Sequence, residues 1–150
     1  MTKTFKINPE ICINQRTGIS IFIITKAKNV QNRRILRNTW VKRARQKGIC
    51  AYFLIGLDQS VQSKNKGESK KHQDLIQVNI IEDYSNLTLK SISMLRWAKV
   101  QCQQDQFIMK VEDNVIVDVE ALLKYKNEFQ QGMFSASLTM FVTKLTYFMV

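Results

Sequence analysis

Residues 18–27, GISIFIITKA, form a continuous apolar run rich in β-branched side chains. A strand with one wet face alternates polar and apolar residues, whereas an unbroken run of this length marks a strand covered on both faces. That requirement excludes an all-helical bundle and a simple one-sided sheet. It predicts helices above and below a mostly parallel sheet.

The segments downstream keep to that plan. Residues 29–48, NVQNRRILRNTWVKRARQKG, read as one helix with Leu36 and Trp40 four apart and Gly48 as a stop. ICAYFLIG (49–56) reads as a second buried strand, residues 57–67 as a polar loop and ESKKHQD (68–74) as a short helix. LIQVNI (75–80) alternates, with Ile76, Val78 and Ile80 on one face. Residues 83–102 read as a helix whose apolar side is Leu89, Ile92, Leu95 and Trp97. QFIMKV (106–111) reads as another strand. Residues 118–129 form a helix capped by Asp118, with Val119, Leu122 and Leu123 facing the core. Strands alternating with helices predict right-handed βαβ units. In such sheets ligands gather beyond the carboxyl ends of the strands.

Charge is distributed unevenly. Residues 1–50 hold twelve basic residues and one acidic residue, and the whole chain carries +11. A basic half of this kind suits a polyanion, a diphosphate or a solvated face. No RNP-like aromatic motif, Cys/His finger or RGG segment accompanies it, so no nucleic-acid partner is assigned. Cys12, Cys50 and Cys102 lack metal-ligand spacing and His72 is the sole histidine, which argues against a structural zinc site. The three thiols read as buried or unpaired, with a missing partner cysteine as the alternative. No secretory leader or membrane anchor is legible at the N-terminus. The apolar-rich tail, 133–150, reads as a strand-like end, with a short membrane span as the minority alternative.

FIMKVEDNVIVD (107–118) places Glu112, Asp113 and Asn114 between two apolar runs. Carboxylates beside a core need a cation, donors or water. Oxygen ligands at a strand end suit Mg²⁺ or Mn²⁺, which lean on substrate phosphates to complete their shell. An ordinary solvated turn has the same composition. Lys26 and the helix bearing Arg33, Arg34 and Arg37 fall at the same sheet end. Those arginines suit a diphosphate contact, or a solvated, ion-paired face. Trp40 and Trp97 read as core rather than a ligand platform, and His72 as a surface residue.

Four pieces in order carry a family resemblance. RRILRNTW (33–40) resembles an RRxxIRxTW helix, and AYFLIG (51–56) the strand after it. Residues 68–102 resemble a block ending Y-x-N-L-T-x-K and a helix with Trp and Cys. FIMKVEDNVIVD resembles a strand bearing a DxD-like motif, commonly KxDDDVFVN. Together they resemble the β-1,3-galactosyltransferase and β-1,3-N-acetylglucosaminyltransferase family of GT-A-fold enzymes, over about residues 19–129.

The resemblance implies a GT-A-like, mostly parallel sheet flanked by helices, incomplete in this chain. It divides the chain into an N-terminal extension (1–18), a nucleotide-sugar-binding half (19–129) and an apolar tail (130–150). It implies a UDP-galactose or UDP-N-acetylglucosamine donor, a glycan acceptor, inverting β-1,3 transfer and Mn²⁺ (or Mg²⁺). Donor contacts would come from Arg33, Arg37, Asp83, Glu112 and Asp113, with Asp83 as a helix cap the alternative. Metal ligands would be Asp113 and Asn114. Asn114 stands where the family has a third acid, and an amide brings no charge, so metal affinity is expected to fall. Asn86-Leu87-Thr88 is a sequon, so Asn86 would carry glycan in a secretory protein. Cys102 would pair with a cysteine outside this chain. The family's domain continues for about another hundred residues or more, with the acceptor groove, a metal-binding histidine and the catalytic base. None of these is recognisable after Phe129, so the 150-residue chain is expected to be inactive alone. Golgi membrane location follows from resemblance only. The alternatives are a non-catalytic nucleotide- or polyanion-binding module and a degenerate inactive copy.

Overall fold

The structure, a computed structural model, describes residues 4–10, 12, 17–103, 105, 107–130 and 146–148. Among the described residues, six strands form one sheet: β1 (Phe5–Ile7), β2 (Ile19–Ile24), β3 (Cys50–Leu57), β4 (Leu75–Ile81), β5 (Phe107–Glu112) and β6 (Thr146–Phe148). The helices are α1 (Val30–Asn38), α2 (Trp40–Gln46), α3 (Gln62–His72), α4 (Leu87–Gln101) and α5 (Val119–Gln130). The sheet order is β1-β4-β3-β2-β5-β6. The four central strands run parallel, and β1 and β6 close the two edges antiparallel. The α/β reading therefore holds.

The chain steps outward from β2 to β3 and β4, then returns across the sheet to place β5 on the other side of β2. The order reverses between β2 and β5, which opens a crevice at their carboxyl ends. Ile24 and Glu112 are register partners there.

Every residue of β2 is buried, as an unbroken apolar run requires. Ile19, Ile21 and Ile23 face one side with Phe53, Ile55, Met109 and Val111, against Leu36, Trp40, Val41 and Ala44 of α1 and α2 and Val119 of α5. Phe22 and Ile24 face the other side with Tyr52, Leu54 and Ile76, against Met94, Trp97 and Ala98 of α4. Both tryptophans are core residues. Asp118 caps α5, its Oδ1 accepting from the Ala121 N–H at 3.0 Å, and Leu122 and Leu123 pack on the first core.

Four expectations are corrected. The single helix over 29–48 is two, broken at Thr39 (φ −115°, ψ −120°). The Thr39 hydroxyl donates back to the Ile35 carbonyl at 3.0 Å, a local bond that competes with the helix ladder. Past the break, Trp40 turns inward and its indole N–H reaches the Val115 carbonyl at 3.1 Å. Second, the loop over 57–67 is mostly helix: α3 starts at Gln62 and ends at His72, and Gln73 caps it in the left-handed region (φ 53°). Its buried residues are Asn65 and Glu68, so no apolar period announces it.

Third, Leu89 and Ile92 are exposed at 50% and 42%, and the buried stripe of α4 is Lys90, Ser93, Met94, Trp97 and Ala98. That stripe keeps helical spacing, but two polar members hide it from an apolar count. Fourth, Cys12 and Cys50 form a disulfide, and β1 pairs with β4, so residues before 19 contribute to the sheet. Cys102 is the free cysteine among the described residues, and burial pushes its thiol up to about 12. Cys12→Ser is expected to cost about 2–4 kcal/mol, as loss of a bridge closing a loop of this kind does. Urea unfolding with and without reductant checks this, and reductant should leave the Cys12→Ser midpoint unmoved.

The apolar tail lies outside the described residues except for Thr146–Phe148, which pair with β5. Among the described residues, no helix is long and apolar enough to cross a membrane.

Candidate functional site

A cavity of about 610 Å³ opens at the carboxyl ends of β2 and β5. Its walls are the β2–α1 loop (Thr25, Lys26, Lys28, Asn29), the end of β5 (Glu112, Asp113) and the segment from Glu82 to Lys90. These segments meet because the strand order reverses at this point.

Asp113 belongs to this wall by hydrogen bonding. Its amide N–H donates to the Ile24 carbonyl at 3.1 Å, continuing the β2–β5 ladder one residue past the strand. Its Oδ2 accepts from Thr25 Oγ1 at 2.7 Å and from Asn29 Nδ2 at 2.9 Å. These two donors fix the carboxylate at the cavity wall. Glu112 lines the cavity half-exposed, whereas Asn114 is exposed and absent from the lining. The turn after β5 thus brings together two of the three residues the motif singled out.

A second node holds the loops in register. Glu82 Oε2 accepts from the Ala27 N–H at 3.0 Å and the Gly56 N–H at 2.7 Å, joining the ends of β2 and β3. Its Oε1 accepts from Lys90 Nζ at 2.8 Å, and Lys90 also donates to the Thr25 carbonyl at 3.1 Å. Gly56 is required here, because a Cβ would lie 2.8 Å from the Ile80 carbonyl oxygen and 3.0 Å from Glu82 Cα. Neither Glu82 nor Lys90 stood out in the sequence as site residues, nor did Thr25 and Asn29. The available signal was their position at strand ends and, for Lys90, its place in the NLTLK stretch.

The arginines are corrected as donor contacts. Arg33 is fully buried. It pairs in bidentate fashion with Glu68 (2.8 and 2.7 Å) and donates to the carbonyls of Lys26 and Ala27 and to Asn65 Oδ1. Arg37 pairs with Asp74 and Glu68 at 2.8 Å and lies over the Phe53 ring. Neither lines the cavity. Arg33 instead braces the β2–α1 loop from behind. The basic bias of the first fifty residues is partly neutralised in the fold: among the described residues, Lys28, Arg33, Arg37, Arg43, Arg45 and Lys47 pair with acids supplied from residue 58 onward. Arg34 is exposed and also outside the cavity lining.

Asp83 lines the cavity, but its Oδ1 caps the short 3₁₀ turn Tyr84–Asn86, accepting from the Ser85 N–H at 2.8 Å and from the Ser85 hydroxyl. The Ser85 hydroxyl holds this carboxylate below its usual range. Asn86 Nδ2 donates to the Ile81 carbonyl at 3.0 Å. His72 is exposed at the end of α3.

The cavity has an unusual charge for a chain of +11. Lys26, Lys28 and Lys90 face Asp58, Glu82, Asp83, Glu112 and Asp113, a formal balance of −2. A diphosphate entering this cavity alone would meet net repulsion, and a divalent cation would reverse it. Among the described residues, no group of three or more His, Cys, Asp and Glu side chains is arranged to hold a metal. The ligands that are present, the Glu112 and Asp113 carboxylates, fit an ion that completes its shell with phosphate oxygens and water, not a protein-only cage.

The galactosyltransferase family model matches residues 31–147. The chain belongs to that family. The galactosyltransferase match takes in all of α1 after Val30, the Glu82–Lys90 segment and the Glu112–Asp113 turn. Among curated relatives, the chain is 28% identical over 132 residues to lactosylceramide 1,3-N-acetyl-beta-D-glucosaminyltransferase B of Danio rerio, covering 81% of this chain and 35% of that protein. It is 29% identical over 119 residues to beta-1,3-galactosyltransferase 5 of Homo sapiens, covering 76% and 38%. It is 31% identical over 106 residues to beta-1,3-galactosyltransferase 4 of Mus musculus, covering 69% and 29%. The chain therefore spans about a third of the length of these galactosyltransferase-family relatives.

Proposed function

We propose that this chain is the donor-binding part of a hexosyltransferase that moves galactose or N-acetylglucosamine from a UDP-sugar to a glycan hydroxyl, in β-1,3 linkage and with inversion. The observation that carries the reading is the placement of Glu112 and Asp113 at the reversal of strand order, with Asp113 fixed by Thr25 and Asn29. The names of the relatives support a nucleotide-sugar donor and a glycan acceptor.

The Asp113 and Glu112 carboxylates are the groups that would hold Mn²⁺ or Mg²⁺, in place of the Asp113–Asn114 pair. When bound, the cation supplies positive charge to stabilise a departing diphosphate. The residues of the chain do the rest by position. Arg33 and Glu82 set the β2–α1 loop, Lys90 offers a buried ammonium, and Tyr84 and Leu87 give the cavity its apolar rim. The base that accepts the proton of the acceptor hydroxyl is assigned to no residue described here. The Cys12–Cys50 disulfide supports an oxidising compartment, consistent with the lumen of the secretory pathway and the Golgi. Asn86 is the corresponding candidate for glycan attachment, and a linked glycan leaves one N–H to keep its bond to Ile81.

Titration calorimetry tests the reading. UDP is expected to bind with Mn²⁺ present and to lose most of its affinity when the metal is chelated, because the cavity is net negative. Binding of DNA that weakens with salt, with no heat from UDP under either condition, would replace this reading with a polyanion-binding module.

A further inference from the structure

The buried cation of the cavity has capacity that the fold leaves unused. Lys90 is 3% exposed and lines the cavity from the first turn of α4. A buried ammonium is costly, and a cation near a helix N-terminus opposes the helix dipole. Two unfavourable terms therefore meet at one position. The ion pair with Glu82 and the bond to the Thr25 carbonyl use two of the three ammonium protons. Lys26 and Lys28 differ: both are exposed, and Lys28 already faces Asp58 at 3.5 Å.

Thr25 links this ammonium to the acidic end of the site. Its carbonyl accepts from Lys90, and its hydroxyl donates to Asp113 Oδ2. The ammonium and the carboxylate thus grip one residue from two sides, and a ligand with adjacent oxyanions can reach both. We propose that Lys90 is a diphosphate-binding residue that donates its third proton to a phosphate oxygen, with Glu82 as the positioning group that aims it. The proposal rests on the reading of the cavity as a UDP-sugar site and names the residue that anchors the diphosphate there.

The test compares UDP with uridine on the full chain in Mg²⁺. Lys90→Met is expected to weaken UDP binding roughly tenfold to hundredfold, the loss of one hydrogen bond to a charged group. Saturation-transfer signals from uridine should be unchanged, since uridine carries no phosphate. Lys90→Arg should restore part of the UDP affinity. In the wild-type chain the ¹⁵N resonance of Lys90 Nζ should shift with UDP and Mg²⁺ and stay in place with uridine. This wild-type measurement decides the matter if Lys90→Met fails to fold. Equal UDP affinity in Lys90→Met and wild type, equal losses for UDP and uridine, or an Nζ resonance unmoved by saturating UDP would each overturn the proposal. A wild-type chain that binds no UDP with either Mg²⁺ or Mn²⁺ would remove the underlying reading as well, so the two failures are distinguishable.

Discussion

Glu68→Ala is expected to lower the stability of this chain by about 3–5 kcal/mol, the cost of removing one partner from a buried ion pair. Glu68 sits on α3 and receives Arg33 in a two-pronged contact at 2.7–2.8 Å and Arg37 at 2.8 Å. Arg33 is fully buried, so it cannot turn to water when the carboxylate is gone, whereas Arg37 keeps Asp74. Arg33 would keep only neutral acceptors, the carbonyls of Lys26 and Ala27 and the Asn65 amide oxygen. The double variant Arg33→Met/Glu68→Leu should recover most of the loss, because an apolar pair of similar size replaces the whole ion pair rather than half of it. Urea unfolding of the three proteins measures both effects. A Glu68→Ala cost below about 1 kcal/mol, the range of an exposed ion pair, would show that the pair is solvated.

The same pair gives stability a pH dependence of defined sign. Burial acts to raise the Glu68 carboxyl, but hydrogen bonds and charge from Arg33 and Arg37 outweigh it, and the net direction is down. A carboxyl whose folded value is depressed contributes stability that is present above its unfolded value and is lost as pH falls through the folded value. Acidification from neutrality past the ordinary glutamate range should therefore destabilise the wild type more steeply than the Arg33→Met/Glu68→Leu protein.

Asp113→Ala is expected to lower metal-dependent UDP affinity by at least about tenfold to hundredfold, since loss of a mere supporting partner of a metal ligand costs that much. Thr25→Ala and Asn29→Ala, which remove those supports, should each fall in that range without a change of charge. Asn114→Ala should have no effect on UDP affinity, since Asn114 is exposed and outside the cavity lining. Motif resemblance alone assigns Asn114 to the metal and gives Thr25 and Asn29 no role. Calorimetry on the four variants separates the two assignments.

What could be read from the chain followed burial. β2 and β3 announce themselves because strands covered on both faces need unbroken apolar runs. The mostly parallel sheet followed from the alternation of elements, and the acidic turn from its place after a strand. The first half of α3 was illegible because the helix buries Asn65 and Glu68, which meet Arg33 rather than fill a core. Arg33 and Arg37 misled for the complementary reason. Their charge reads as a ligand contact only if they face solvent, and the acids that neutralise them arrive more than thirty residues later. Lys90 was missed because its position on the buried stripe of α4 looks, in sequence, like an interruption of that stripe. Buried polar pairing between distant segments thus accounts for most of what was hidden in both the fold and the site.

Paramagnetic broadening by Mn²⁺ in the presence of UDP tests the central claim most directly. The account predicts loss of amide signals centred on Thr25–Asn29, Glu82–Tyr84 and Glu112–Asn114, with α2 and α3 unaffected. Broadening that spreads over the basic residues of α2 and α3, or none near Asp113 at saturating UDP, would contradict it.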